Sequence, residues 1–179
     1  LRRAQNNITS MRPYAREILA LIKAIASGQR VEHPLLTFNP QPKKMLLVVL
    51  TSDRGLCGAF NNSVNKAAFN FYSQQKANYE NIDFLFIGKK AVDYFKARKL
   101  APKEVITNLA REVSYSLAAK VAENLMKSYL EGEYDEIRLV YNEFKSAISQ
   151  EVIVERLLPV ALPSETVTDS SGQPLNFAD

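Results

Sequence analysis

The sequence contains little of what most catalytic and metal-binding sites require. Its 179 residues include one cysteine, Cys57, one histidine, His33, and no tryptophan. A single cysteine excludes an internal disulfide and any redox or zinc site built from paired cysteines. Cys57 and His33 do not form a recognisable thiol–base pair, because His33 lies in a proline-flanked stretch without a catalytic signature. We therefore expect no catalytic residue, no metal site and no cofactor.

Long apolar runs and long basic runs are also absent. No stretch approaches the roughly 20 apolar residues that a membrane-spanning helix needs. The formal net charge is +4, but no run of lysine and arginine exceeds two residues. The sequence therefore lacks the cluster of basic residues that is typical of nucleic-acid-binding proteins. The sequence thus predicts a globular protein that binds no nucleic acid and does not insert directly into a membrane. Because the chain starts inside a periodic pattern, we expect it to be a processed or truncated piece.

The first segment has the spacing of a coiled-coil helix over residues 1–28. Eight apolar residues recur at alternating intervals of three and four, and we call them the seam: Leu1, Ala4, Ile8, Met11, Ala15, Ile18, Ile22 and Ile25. Pro13 predicts a kink or a restart within the helix, and Gly28 predicts its end. Two interpretations remain open, a helix lying on its own domain and a helix paired with a partner that this chain lacks. A bare seam would also favour self-association.

From residue 44 onward, strands and helices alternate. Runs of apolar residues, or of residues that favour strands, predict strands at residues 45–50, 82–88, 136–144 and 150–160, with a short one near Val105. Amphipathic runs predict helices at residues 62–75, 89–99 and 112–131. This order predicts an α/β fold with a Rossmann-like, mostly parallel sheet flanked by helices. The last two strands are separated by so few residues that we expect a hairpin or an antiparallel edge. The predicted organisation is a helix at 1–28, a linker at 29–43, an α/β domain at 44–163 and a flexible tail at 164–179.

The loop after the first strand, which we call the contact loop, invites three interpretations. It comprises Ser52, Asp53, Arg54, Gly55, Leu56, Cys57 and Gly58. Its position suits phosphate binding, but the spacing matches neither GxGxxG nor GxxxxGK[ST], and the thiol lacks a base. A tight turn before a helix explains the two glycines and the polar residues. It does not explain why Leu56 and Cys57 stand between the glycines.

The same residues resemble a known signature. SDRGLCGAFN, residues 52–61, resembles the signature of the γ subunit of F-type ATP synthase, the central rotor shaft. LRRAQNNITSMRPYAREI at the start, FIGKKAVDYFKARK in the middle and YNEFKSAISQEVIVERLLPV later are similar to that family in the same order. The resemblance therefore extends over about residues 1 to 163.

The resemblance implies a mechanical rather than a catalytic function. In that family a helix from each terminus forms an antiparallel coiled coil inside a ring of α and β subunits, above an α/β domain. This chain then looks like the α/β domain with part of the first helix, lacking the start of that helix and a C-terminal helix expected after Asp179. Ion flow turns a membrane ring, the γ subunit turns with it, and the β subunits change nucleotide affinity. The subunit itself makes and breaks no bond.

The resemblance also implies partners for particular residues. Asp53, Arg54, Leu56 and Cys57 would contact the lower ends of the β subunits, with Gly55 and Gly58 holding the loop in shape; alternatively, Asp53 pairs with Arg54 or with a helix end. The basic residues beside the seam (Arg2, Arg3, Arg12 and Arg16) either face acidic surfaces on β or are simply solvated. Further implied partners are the α subunits, the ε subunit and the membrane c-ring. The implied location is the cytoplasmic face of a bacterial inner membrane, with the matrix side of the mitochondrial inner membrane as the alternative.

Overall fold

The computed structural model describes residues 2–52, 58–107, 115–146 and 149–161, with side chains for residues 14–52, 61–107, 115–143 and 150–161. The regular elements in chain order are α1 (Arg2–Ser27), β1 (Lys44–Leu50), α2 (Gly58–Gln75), β2 (Asn81–Ile87), α3 (Lys90–Lys96), β3 (Glu104–Ile106), α4 (Tyr115–Leu130), β4 (Glu136–Ser146) and β5 (Ser149–Leu158). A short 3-10 turn, Pro34–Leu36, lies between α1 and β1.

The five strands form one mixed sheet in the order β3-β2-β1-β4-β5. β1 pairs in parallel with both β2 and β4, and β2 pairs in parallel with β3. β4 and β5 form the antiparallel hairpin that the short connection between them requires. The predicted α/β class, with a mostly parallel sheet flanked by helices, is therefore confirmed.

Helices cover both faces of this sheet. β1 is buried along all but its first residue, because its successive side chains point alternately into two separate cores. Leu46, Val48 and Leu50 lie in the core that contains residues of α1 and α4. Leu47 and Val49 lie in the core that contains residues of α2 and α3. A sheet covered on both sides thus explains why the β1 sequence is continuously apolar.

The C-terminal half of α1 packs on the chain's own domain. Six of its residues are buried in the core shared with α4 and the sheet: Tyr14, Ala15, Ile18, Leu19, Ile22 and Ala26. Three of them belong to the seam, and the expectation of a bare seam is wrong for these three because the domain covers them. Ile25, a fourth seam residue, is 43% exposed. The side chains of Leu1, Ala4, Ile8 and Met11 lie outside the described residues.

The helix runs through Pro13 without a restart. Residues 2–27 form a single helix, so of the two outcomes that the sequence predicts at this proline, a kink or a new helix start, the second is wrong. Proline removes one main-chain hydrogen bond, and the neighbouring bonds of a long helix are enough to carry the helix past it. Tyr14, the first residue of α1 whose side chain is described, is buried.

The predicted linker at residues 29–43 is partly folded onto the domain. Leu35 and Leu36 are buried in the 3-10 turn, and Val160 donates its N–H to the Leu35 carbonyl at 2.7 Å. His33 caps this turn, since its Nδ1 accepts a hydrogen bond from the Leu35 N–H at 3.2 Å. The side chain of Tyr129 on α4 donates to the Pro34 carbonyl at 3.1 Å. These bonds hold the connection between α1 and β1 in place.

Candidate subunit-contact site

The contact loop leaves the sheet at the edge where the parallel strands end. β1 ends at Leu50, Thr51 and Ser52 follow it into a buried position, and α2 begins at Gly58. In open α/β sheets this carboxyl edge is where functional loops gather. The structure describes the two ends of the loop, Ser52 and Gly58. Asp53, Arg54, Gly55, Leu56 and Cys57 lie outside the described residues.

A buried pair of polar side chains, which we call the Ser52–Asn61 bracket, ties the start of the loop to α2. The Ser52 N–H donates to Asn61 Oδ1 at 3.0 Å, and Asn61 Nδ2 donates to Ser52 Oγ at 2.9 Å. Asn61 is only 3% exposed. α2 begins at Gly58, before Asn61, so the Asn61 side chain binds the strand end rather than capping the helix. The bracket thus fixes the loop on both sides.

The root of the loop is also tied to α3. The Lys90 N–H donates to the Ser52 carbonyl at 3.1 Å, and Asn65 Nδ2 donates to the Lys90 carbonyl at 3.3 Å. The Thr51 N–H donates to the Ile87 carbonyl at 2.8 Å, which continues the pairing of β1 with β2. Four elements, β1, β2, α2 and α3, therefore meet at the point where the loop begins.

Gly88 lets two of these elements approach each other. Its φ is +100°, and a Cβ placed on it would stand 2.0 Å from the Thr51 carbonyl oxygen. Only glycine fits such a contact, because any other residue brings both backbone strain and a collision. The sequence places Gly88 at a strand end but gives no sign of the contact, since Thr51 is distant in the chain.

The Ser52–Asn61 bracket leads us to expect that Asn61→Ala lowers the stability of the chain. Removing the side-chain oxygen leaves the buried Ser52 N–H without its partner, so we expect the unfolding free energy to fall by about 1–3 kcal/mol. Urea unfolding of the variant and the parent chain measures this difference. Asn62→Ala is the matched control because Asn62 is the exposed neighbour on the same helix, and it should stay within about 0.5 kcal/mol. Equal losses in both variants would show that the bracket does not hold the loop root.

Ion pairs attach the side of α1 to the β4–β5 hairpin. Arg16 lies 3.2 Å from Glu143, and Lys23, two helical turns further on, lies 3.8 Å from Glu155. The Tyr141 hydroxyl donates to Glu155 at 3.0 Å, and burial, together with this carboxylate, raises the pKa of Tyr141. Arg16 therefore has a carboxylate within its own chain, whereas the side chains of Arg2, Arg3 and Arg12 lie outside the described residues. Such pairs contribute little energy but orient the helix.

A cavity of about 220 Å³ lies on the same side of the sheet as α4. Its apolar wall comes from the sheet and α4, through Leu46, Leu85, Ile106, Val121 and Leu125. At its rim, Tyr134 donates its hydroxyl to Asp83 at 2.7 Å, and burial raises the pKa of Tyr134 to about 12. Lys103, which pairs with Glu133, stands over the Tyr134 ring. Ser52, the contact-loop residue whose side chain is described, does not line this cavity.

The described residues do not assemble a metal site. Nowhere among them do three or more histidine, cysteine, aspartate or glutamate side chains come close enough together to hold a metal ion. Within the same part of the chain, we find no helix that combines the length and the apolar character needed to cross a membrane.

Comparison with known proteins decides the family. The family model described as ATP synthase matches residues 1–177. A relative from Bdellovibrio bacteriovorus, named ATP synthase gamma chain, is 52% identical over 178 residues, covering 99% of this chain and 60% of the relative. The chain belongs to the ATP synthase gamma-chain family. The resemblance found in the sequence is therefore confirmed.

Other members of the family agree in extent and fold. A gamma chain from Geobacter sp. (strain M21) is 38% identical over 160 residues, covering 89% of this chain and 55% of the relative. The chain thus spans a little more than half the length of these relatives. A solved chain from the central stalk and c-ring of the Tetrahymena thermophila mitochondrial ATP synthase is 27% identical with a TM-score of 0.57, covering 84% of this chain and 71% of that one.

Proposed function

We propose that this chain forms the base and the lower shaft of the central rotor subunit of F-type ATP synthase. In this proposal it transmits rotation from a membrane ring to the β subunits, where ATP is made, and has no catalysis of its own. The observation that carries the proposal is the burial of the C-terminal half of α1 in the core of the α/β domain. Family membership supports it, because the relatives are gamma chains.

A shaft transmits torque only if it cannot turn freely in its base. Protein interiors are packed as densely as organic crystals, so a helix that contributes side chains to a core does not rotate independently of it. Tyr14, Ile18 and Ile22 lie in the same core as residues of α4 and the sheet. The ion pairs of Arg16 and Lys23 with the hairpin oppose rotation about the axis of α1. The domain and α1 therefore turn as one body.

The contact loop is the proposed point of force transfer to the β subunits. Its root is fixed by the Ser52–Asn61 bracket and by the bond from Lys90, so a load on the loop reaches the sheet. Asp53 and Arg54 offer one charge of each sign for charge-assisted hydrogen bonds, which are stronger than neutral ones. Leu56 and Cys57 together would contribute apolar surface to the same contact.

The proposal extends to domains, partners and location. The first part of α1, with the seam residues Leu1 to Met11, would pair with a C-terminal helix that follows this segment, and residues 164–179 would lead to that helix. The proposed partners are the α and β subunits, the ε subunit and the c-ring; the Tetrahymena thermophila structure, described as central stalk and c-ring, supports the last of these. The proposed location is peripheral, on the cytoplasmic face of a bacterial inner membrane, as the bacterial relatives favour. The matrix side of the mitochondrial inner membrane is the alternative.

The contact loop is tested by the double variant Asp53→Ala/Arg54→Ala in the full-length subunit. Losing both charge-assisted contacts, each worth about 1.5–3 kcal/mol, should reduce ion-driven ATP synthesis roughly tenfold or more while the complex still assembles. ATP synthesis in membrane vesicles and subunit content by gel measure the two quantities. Glu123→Ala/Lys127→Ala, which removes one acidic and one basic exposed side chain from α4, should leave synthesis unchanged. Full synthesis by the Asp53/Arg54 variant would contradict the assigned loop contact.

A further inference from the structure

The stretch of residues 61–99, which contains most of α2 and all of α3, has an excess of positive charge. Between residues 61 and 99 the sequence has seven basic residues: Lys66, Lys76, Lys89, Lys90, Lys96, Arg98 and Lys99. The same stretch has three acidic ones, Glu80, Asp83 and Asp93. This excess of four charges equals the formal net charge of the whole chain, so the rest of the chain is neutral in sum.

Two of the three carboxylates in this stretch have partners within the domain. Glu80 lies 3.8 Å from Lys43, and Asp83 accepts a hydrogen bond from Tyr134 on the opposite side of the sheet. The third, Asp93, is on the first turn of α3. We call Lys66, Lys90, Lys96 and Lys99 the α2–α3 basic face. In the described part of the chain, none of these four ammonium groups lies within 4.0 Å of a carboxylate oxygen.

The described side chains of the opposite layer are closer to balance. The two basic residues of α1 whose side chains are described, Arg16 and Lys23, pair with carboxylates of the hairpin. Lys120 and Lys127 on α4 alternate with Glu123 in the middle of the helix and Glu131 just after its end. Among the described side chains, the excess of positive charge is therefore concentrated in the α2–α3 layer.

The chemistry of the α2–α3 basic face favours a protein partner. Its aromatic residues pack inward or are covered, since the Arg98 guanidinium lies 3.5 Å from the centre of the Tyr94 ring and Phe95 is buried. Among the described residues, the large apolar side chains that are exposed all lie outside α2 and α3. Single-stranded nucleic acid needs a stacking surface, and an interfacial membrane helix needs an exposed apolar side. Neither feature is present on this face of the described structure.

We propose that the α2–α3 basic face docks a carboxylate-rich surface of another protein subunit. Asn65 bonds to the Lys90 carbonyl, so the turn of α2 that carries Lys66 lies against the start of α3 at Lys90. The Lys90 N–H also bonds to Ser52, which makes this face continuous with the root of the contact loop. The inference rests on the proposed function only in taking the assembled ATP synthase complex as the setting for the partner.

Zero-length cross-linking in the purified complex tests this proposal. A carbodiimide joins an amine to a carboxylate only when the two are in contact, and peptide mass spectrometry identifies both residues. We expect links from at least two of the four lysines to aspartate or glutamate residues of one other subunit. Lys66→Glu/Lys96→Glu in the full-length subunit should lower the yield from Lys90 and Lys99 roughly tenfold, because like charges facing each other repel. Lys120→Glu/Lys127→Glu, the same charge change on exposed positions of α4, should leave that yield unchanged.

Three results would overturn the proposal. One is a complex that contains the subunit but in which the four lysines form cross-links only to residues of the same subunit, or form none. Another is an undiminished yield in the Lys66/Lys96 variant. The third is a full-length subunit that gives no protein cross-links but binds phosphatidylglycerol vesicles, with this binding abolished in the Lys66/Lys96 variant. That result would assign the face to anionic lipid. A subunit that never enters the complex overturns the proposed function itself, and so is distinguishable from these.

Discussion

Gly88→Ala is expected to lower the unfolding free energy of the chain by more than about 3 kcal/mol, since backbone strain and overpacking each cost about 1–3 kcal/mol. The added methyl group would stand 2.0 Å from the Thr51 carbonyl oxygen, a distance that real atoms do not adopt, at a φ of +100°. Relief requires β1 and the turn into α3 to separate, which also pulls on the bond from Lys90 to Ser52. Thermal and urea unfolding of the purified chain measure the loss.

Gly132→Ala is the control that separates the effect of the steric collision at Gly88 from the effect of backbone strain. Gly132 also has a positive φ, +80°, but a Cβ placed there has nothing within 4 Å. An alanine at this site should therefore cost only the left-handed backbone strain, about 1–2 kcal/mol. If the two variants lose the same stability, the close approach of Gly88 to Thr51 is not a constraint on the fold. The larger loss for Gly88→Ala should be accompanied by faster proteolysis within the contact loop.

Ile18→Ala is expected to destabilise the chain by about 3 kcal/mol, within the range for large-to-small substitutions in cores. Ile18 is 1% exposed and lies in the core with α4 and the sheet, so its truncation removes apolar contacts and leaves a cavity. The consequence for function is specific, because this residue joins the proposed shaft to its base. In the full-length subunit the same variant should reduce coupling between ATP hydrolysis and ion transport.

Ile25→Ala is the matched control for this result. It is the same chemical change at another seam residue of the same helix, but Ile25 is 43% exposed, so its truncation leaves little or no cavity. The unfolding free energy should therefore fall by less than about 1 kcal/mol. A helix whose seam awaited an absent partner would show small effects of both variants in this chain. Similar losses at Ile18 and Ile25 would therefore contradict the packing of α1 on its own domain.

The elements of the fold could be predicted from local patterns in the sequence. β1 and β2 are continuous apolar runs, and the short connection after β4 indicates the antiparallel hairpin, so these predictions agree with the structure within a few residues. The start of α2 was placed several residues late, because Gly58 and its neighbours carry no strong helix signal. Helix ends depend on capping and tertiary contacts more than on periodicity.

The contacts between distant segments could not be predicted in this way. A heptad spacing states which side of α1 is apolar but not what covers it, and both a partner helix and the domain satisfy the pattern. The contact of Gly88 with Thr51 and the ion pairs of Arg16 and Lys23 join residues far apart in the chain. The role of the contact loop stays a prediction, and it rests on the resemblance of residues 52–61 to a family signature rather than on the chemistry of those residues.

The most direct test of the account is to watch whether the domain turns. The full-length subunit would carry Lys120→Cys, on the exposed side of α4, in a Cys57→Ser background, with a bead attached to the new thiol and the complex immobilised through its β subunits. The account predicts that the bead turns in one direction when ATP is added and stops when ATP is replaced by ADP. A bead that stays still while the same complex hydrolyses ATP at its normal rate would contradict a rotor function for this chain.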